Sequence, residues 1–390
     1  MLRWFNFGAH VEDASLVSDS GEKRIMYEGS KVESPPAPGA RVRVSVVMPV
    51  LNEGRFIEAT VHSLQAQATP GFDLEMLVID GMSQDDTRAK VTLVCAKDPR
   101  VRLLSNPSRN TPAALNLGLR AASGDLVCIM GAHASYDSDY IAVCLQELIA
   151  HGAAGCSGKI ETAPADSSLQ ARLVAWVAAH PFASSARSAR TQPEGYADTV
   201  PYPVFRKQTL LDAGGYNARL IRNQDNDMNQ RLRALGFKLY VTAKTRCRYY
   251  PRPDVWSFLK HAFSSGVWNA LSLRENPAAL GLRHFVPLVF VTALLVLAAL
   301  VSAGEFTGAY SRDAAVVLAV MLASHLGIGT VVAIQIGLRE KTAATLWLAP
   351  LILAFHCAYG LGTLRGLFLP FLGSQAVRAQ GSAESSQDCI

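Results

Sequence analysis

Three apolar runs close the chain, and each is long enough to cross a bilayer. Residues 285–303 hold 19 positions without a charge, residues 314–337 hold 24 without Asp, Glu, Lys or Arg, and residues 342–364 hold 23. A helix needs about 20 apolar residues to cross about 30 Å of hydrocarbon. A buried helix of a soluble core could explain one such run, but three in succession predict three transmembrane helices. Arg283 and His284 precede the first run, and Arg339, Glu340 and Lys341 fill the loop between the second and third. The first loop has two acids and one arginine. The positive-inside bias therefore predicts a cytoplasmic face for everything before residue 285 and an outer C-terminus, against which Arg365 and Arg378 weigh. His325 and His356 interrupt the second and third runs. Each is expected to face a neighbouring helix, with a functional relay as the alternative.

The rest of the chain has a different texture. Hydrophobic residues make up 49% of the whole and crowd into the last third, and the net charge is only +5. No Lys/Arg cluster interleaved with aromatics stands out, so no nucleic-acid partner is expected. A mildly basic protein beside an anionic membrane fits better. Seven scattered cysteines with no C-x-x-C pair argue against a disulfide framework and a structural zinc site. The first forty residues contain no uninterrupted apolar stretch of the signal-peptide kind, and the Pro-rich 31–41 reads as a linker. Residues 1–41 are expected to form a poorly ordered extension.

Strands and helices are predicted to alternate from residue 42. Residues 42–50 (VRVSVVMPV) are β-branched and end at a proline, the profile of a strand buried on both faces. A helical pattern runs over 54–67, a second strand over 74–79, a helix over 87–96 and a third strand over 101–104. A helix over 112–122 then precedes a fourth strand over 126–130. This alternation predicts an α/β, doubly wound, mainly parallel sheet, whose ligands bind beyond the carboxyl ends of the strands. Polar residues collect at those ends: Asn52 and Glu53 after the first strand, Asp80, Ser83, Asp85 and Asp86 after the second, His133 after the fourth.

These segments, VSVVMPVLNE, LVIDGMSQDDT and NTPAALNLGLRAASGD, resemble the nucleotide-binding half of the family 2 inverting glycosyltransferases. The stretch ADTVPYPVFRKQTLLDAGGYNARLIRNQDNDMNQRLRALGFKLY is similar to the acceptor half, most like the succinoglycan-biosynthesis glucosyltransferase subgroup. The resemblance covers roughly 42–275. It implies a GT-A fold over 42–243, a membrane-interface segment over 244–284, then the three spans and a short tail over 365–390. It also implies a UDP-sugar donor, held through Glu53 and Asp80, with Asn116 and Arg109 on the nucleotide side. A carboxylate can accept from the uracil N3–H and from ribose hydroxyls. For Arg109 a solvated surface charge is the other explanation.

By the same resemblance Asp225 is the catalytic base. It opens a helix patterned on Met228, Leu232 and Leu235, where the helix dipole favours an anion, the form that can deprotonate a sugar hydroxyl. Asp227 suits the role of a plain first-turn acid. The family holds a divalent cation, Mn²⁺ or Mg²⁺, through Asp-x-Asp or Asp-x-His after the fourth strand. Here Gly131 replaces the first carboxylate and leaves His133 as the motif's metal ligand, a change that favours Mn²⁺. Asp137-Ser138-Asp139 lies several residues late, and helix capping explains it better.

Residues 244–275 have the composition of a helix in the interface plane, with Arg246, Arg248 and Arg252 facing either lipid headgroups or substrate phosphates. Ser265-Gly266-Val267-Trp268 stands where processive synthases carry Gln-x-x-Arg-Trp, pointing to addition of a single sugar, glucose by subgroup resemblance. The expected acceptor is a polyprenyl-linked saccharide at the inner (plasma) membrane, with other polysaccharide-assembly proteins as partners. Two alternatives stay open: transfer to polyprenyl phosphate itself, and a non-catalytic scaffold in polysaccharide assembly.

Overall fold

The computed structural model describes residues 41–184, 191–307 and 311–369. The N-terminal extension up to residue 40 and the tail beyond residue 369 lie outside the described residues.

The first half of the chain alternates as expected: β1 (Val42–Val50), α1 (Ile57–Gln65), β2 (Phe72–Asp80), α2 (Thr87–Lys97), β3 (Val101–Ser105), α3 (Thr111–Ala121) and β4 (Leu126–Ile129). Then come β5 (Ala134–Tyr136), α4 (Tyr140–Ala150), β6 (Gly155–Thr162), α5 (Leu169–Ala179), α6 (Pro181–Ser184), β7 (Gly195–Tyr196) and β8 (Val204–Arg206). The last soluble elements are α7 (Lys207–Asp212), α8 (Gln224–Ala234) and β9 (Leu239–Tyr249). The long α9 (Val255–Glu275) leads into α10 (Val286–Thr307), α11 (Ser311–Glu340) and α12 (Leu348–Phe368).

One mixed sheet runs β3-β2-β1-β4-β8-β6-β9-β5, with β7 paired to β9. The β3-β2-β1-β4 half is entirely parallel, whereas β8 is antiparallel to both β4 and β6, and β5 to β9. The parallel half is the more legible in sequence because both its faces are covered. Five successive β1 residues, Val44 to Met48, are buried. Ser45, in the middle of that run, gives its hydroxyl proton to Glu75 at 2.6 Å and accepts from the Gly124 amide at 2.8 Å. The other half is mixed: β6 and β9 are long and parallel to each other, whereas the antiparallel β5, β7 and β8 are only two or three residues long. Strands so short carry too little periodicity to be read. β9 continues to Tyr249, so the sheet reaches past residue 243, the expected edge of the catalytic unit. Arg246 and Arg248 are therefore strand residues.

Among the described residues, three helices are long and apolar enough to cross a membrane: Leu282–Gly304, Ser311–Glu340 and Ala343–Phe368. Each overlaps an expected span and extends it at one or both ends. His325 and His356 meet between α11 and α12, Nε2 to Nδ1 at 2.9 Å.

Helix α9 lies against α12 with almost no side chain between them. A methyl group added at Gly266 would collide with the carbonyl oxygen of Tyr359, one at Gly362 with that of Phe263, and one at Gly366 would stand 2.6 Å from that of Val267. Gly362 and Gly366 are four residues apart, the small-xxx-small spacing that lets helix backbones approach inside a bilayer. Gly362→Ala should therefore lower the stability of the detergent-purified protein by about 1–3 kcal/mol, because backbone rather than a flexible side chain must give way. Gly327→Ala is the control, since its added methyl meets nothing within 4 Å. Thermal unfolding of the two variants, read against the parent, checks this.

Candidate active site

A cavity of about 970 Å³ opens beyond the carboxyl ends of the parallel strands. It is lined by Glu53, Arg109, Gly131 and His133 on the sheet side and by Asp225 on the helix side. Glu53 and His133 follow β1 and β4, which are hydrogen-bonded neighbours, so the two loops are delivered side by side. The Glu53 carboxylate lies 3.3 Å from His133 Nδ1.

The loop after β1 is held by the loop after β2. The Asn52 amide donates to Ser83 Oγ at 2.9 Å, the Glu53 amide to Thr87 Oγ1 at 2.7 Å and the Gly54 amide to Asp85 at 2.9 Å. Asp85 is thus a structural clamp. Burial alone would raise its carboxyl, but hydrogen bonds from the Thr87 hydroxyl and from the Gly54 and Thr87 amides win and hold it below its ordinary value. Asp80 is fully buried. Its carboxylate accepts from the Ser83 amide at 3.1 Å and from Arg88 at 3.0 Å, and its neighbours Ile79 and Gly81, rather than Asp80 itself, line the cavity.

Arg109 is exposed at the rim with φ of +52°. Asn52, Tyr202 and Asn223 share such left-handed backbone beside the same cavity. Non-glycine residues adopt this conformation at a cost, and it clusters at functional sites. Asn116 points elsewhere: its amide donates to the Tyr216 carbonyl at 2.7 Å and accepts from the Tyr216 amide at 2.8 Å. It fastens α3 to the segment before α8, and Tyr216, not Asn116, lines the cavity. Burial pushes the Tyr216 phenol well up, with the charge of Asp225 adding to the effect, so it stays a neutral hydroxyl.

Asp225 and Asp227 share the first turn of α8 but not its surroundings. Asp225 is exposed to the cavity. Asp227 is buried and accepts from Arg231 at 2.7 Å and from Asn276 at 2.8 Å. Asn223, just before the helix, donates to Asn269 at 3.0 Å and to Ser272 at 3.2 Å, both on α9. Asn269 in turn donates to the Tyr359 hydroxyl of α12 at 2.5 Å. The turn that carries Asp225 is therefore tied through α9 to a membrane-spanning helix.

The place of the missing carboxylate is filled. A Cβ at Gly131 would stand 2.7 Å from Tyr202 Cε1, so the phenol ring occupies the space an aspartate would use. Among the described residues no group of three His, Cys, Asp or Glu could hold a metal ion. His133 and Glu53 are the fitting pair, one imidazole and one carboxylate, and further ligands would have to come from a bound diphosphate. Asp139 occupies the position before α4 without capping it; its carboxylate accepts from the Thr245 hydroxyl at 2.7 Å instead.

None of Arg246, Arg248 and Arg252 lines the cavity; His261, Arg283 and His284 do. Sequence reasoning used Arg283 only as a flanking charge for membrane topology and passed over His261, Tyr202 and Asn269. Nothing in their spacing marks them, because they reach the cavity from elements far apart in the chain.

The sequence profile of Glycosyl transferase family 2 matches residues 45–208. The chain is 27% identical over 325 residues to the succinoglycan biosynthesis protein ExoA of Rhizobium meliloti, covering 83% of this chain and 94% of that protein. It is 24% identical over 337 residues to a dolichyl N-acetyl-alpha-D-glucosaminyl phosphate 3-beta-D-2,3-diacetamido-2,3-dideoxy-beta-D-glucuronosyltransferase of Methanococcus voltae, covering 83% and 97%. A mannosyltransferase from Pyrobaculum calidifontis, solved with GDP-Man and Mn²⁺, superposes with a TM-score of 0.51 at 20% identity, covering 85% of this chain and 90% of that one. That last likeness supports the GT-A fold. Residues 45–208 thus carry a Glycosyl transferase family 2 domain, and the relatives that span most of the chain are glycan-biosynthesis proteins.

Proposed function

We propose that the protein moves a single sugar, glucose first among the candidates, from a UDP-sugar to a lipid-linked saccharide acceptor at the cytoplasmic face of the inner membrane, with inversion. The observation that carries this reading is the continuity of the cavity. It runs from Glu53 and His133 past Asp225 to Phe290 and Phe355 on the membrane-spanning helices, so a nucleotide and a membrane lipid can reach the same acid. The dolichyl-phosphate-linked acceptor in the name of the Methanococcus voltae relative and the succinoglycan role in the name of the Rhizobium meliloti relative support it.

In this reading Glu53 and Arg109 hold the nucleotide, and Asp80 shapes the pocket floor through Ser83 and Arg88. Asn116 acts by fixing Tyr216. The acceptor hydroxyl gives its proton to Asp225 while its oxygen attacks the anomeric carbon. The bond from that carbon to the donor diphosphate breaks, its electron pair leaves on the UDP oxygen, and an α-linked donor gives a β-linked product. Asp225 suits the base because it is exposed in the cavity, whereas Asp227 is buried and bonded to Arg231 and Asn276. A divalent cation, Mn²⁺ by the chemistry of its ligands, would sit at His133 with Glu53 and neutralise the departing diphosphate.

Asp225→Asn should lower transfer by about 10²–10⁴-fold while leaving UDP binding nearly intact. The assay is a panel of labelled UDP-sugars with polyprenyl-linked acceptors in membranes containing the protein, with Mn²⁺, Mg²⁺ or EDTA. Undiminished turnover in the variant rules Asp225 out as the base. Asn269→Ala should slow turnover about 10–100-fold with an unchanged donor KM, because it frees the turn that carries Asp225. A loss of thermal stability with normal turnover would contradict that positioning role.

A further inference from the structure

The cavity is larger than a nucleotide-sugar requires and does not end at Asp225. Its membrane-side wall combines two kinds of group that rarely share a pocket. One kind is cationic or hydrogen-bond donating: His261 on α9 and Arg283 just before α10. The other is apolar: Val286, Pro287 and Phe290 on α10 and Phe355 on α12.

The tautomer of His261 follows from its neighbour. The Arg222 guanidinium lies 3.1 Å from His261 Nδ1. A guanidinium can only donate, so Nδ1 must accept and the ring proton sits on Nε2. His261 therefore carries an N–H donor backed by a positive charge. Arg283 has a side chain three-quarters buried, with Asp198 4.0 Å away and itself half exposed, a distant and well-solvated counter-ion. Burying a guanidinium this far with no closer carboxylate among the described residues is costly unless an anion completes the site. Beyond these cations the wall is mainly apolar, with His325, His356 and Tyr359 as its polar groups, on helices long and apolar enough to cross a membrane.

We infer that this wall is a binding site for a phosphate carried on an isoprenoid chain: Arg283 takes the phosphate oxygens, and the first isoprene units lie along Val286, Phe290 and Phe355. The inference rests on the proposed lipid-linked acceptor and names the part of the protein that would select it. Charge complementarity decides the occupant. An uncharged lipid leaves Arg283 unsatisfied, and a free phosphate leaves the apolar wall against water. The arrangement also orders the acceptor, with its phosphate at the membrane side of Asp225 and its saccharide toward the donor.

The test is direct binding, which needs no turnover. Farnesyl diphosphate is titrated calorimetrically into the full-length protein in neutral detergent, beside farnesol and inorganic diphosphate. The expected result is that farnesyl diphosphate binds more tightly than either fragment, that Arg283→Gln weakens it at least about tenfold, and that Arg283→Lys recovers part of the loss. Unchanged UDP affinity in both variants reports an intact fold. Equal affinity of parent and Arg283→Gln for farnesyl diphosphate overturns the site. Inorganic diphosphate binding as tightly as farnesyl diphosphate overturns the lipid half of it. If Arg283→Gln instead loses affinity only for phosphatidylglycerol vesicles, the cation serves a bilayer headgroup and the acceptor assignment fails. Farnesyl diphosphate that binds in an Arg283-dependent way without any sugar transfer would leave the site standing and overturn the transfer reaction, so the two readings fail separately.

Discussion

The bonds from Asn223 to Asn269 and Ser272 hold the rest of the site in place. Asn223 adopts φ of +62° immediately before α8, so its backbone turns the chain into the helix while its side chain is spent on α9 rather than on capping. The orientation of Asp225 is thereby set by α9, and α9 is set by its backbone contact with α12 through Gly266, Gly362 and Gly366. Asn276 repeats the tie at the far end of α9, bonding Asp227 and Gln230 at 2.8 and 2.9 Å. A soluble enzyme could fix such a helix with apolar packing alone. Here the polar ties join α8 through α9 to α12, a helix long and apolar enough to cross a membrane, and hydrogen bonds give direction that dispersion contacts do not.

The sheet half of the site obeys a different logic. Two adjacent parallel strands, β1 running on past the end of β4, present Glu53 and His133 within 3.3 Å through the loops that follow them. Their loops are rigid because the acids around them are already engaged: Asp85 with the amides of Gly54 and Thr87, Asp80 with Ser83 and Arg88. Gly131 and Tyr202 form a linked pair in this region. The absence of a side chain at one makes room for the ring of the other, and the Tyr136 and Tyr202 rings then meet edge to face with centroids 5.8 Å apart. The Gly131 amide donates to the Tyr136 hydroxyl at 2.8 Å, which further rigidifies the turn. The loss of a carboxylate at Gly131 is thus compensated by packing, and the cation question narrows to His133 and Glu53.

Within the membrane segments the two histidines find each other. His325 and His356 bond across the α11–α12 contact, with Phe182 and Phe290 against their rings. This hydrogen bond joins two mainly apolar helices, and both histidines also line the cavity. It also marks the deep end of the cavity, so the boundary between enzyme and anchor is not a linker but a shared wall.

The sequence by itself determined the parallel half of the sheet, the three spans and the identity of the acids at strand ends. Those features rest on local periodicity: a strand covered on both faces must be β-branched throughout, and a span must be free of charge for about 20 residues. The residue types at the strand ends and in the stretch that opens α8 carried the family resemblance, and through it the positions of Glu53, His133 and Asp225. What only the tertiary structure decided is which polar side chains face the cavity. Asn116 and Asp80 look like ligand contacts in sequence, yet one is bonded to the Tyr216 backbone and the other to Ser83 and Arg88. His261, Arg283 and Tyr202 look unremarkable in sequence and line the cavity. The physical reason is that a hydrogen-bonding side chain has many partners of equal chemistry. Which one it takes depends on elements a hundred residues away that only folding brings near.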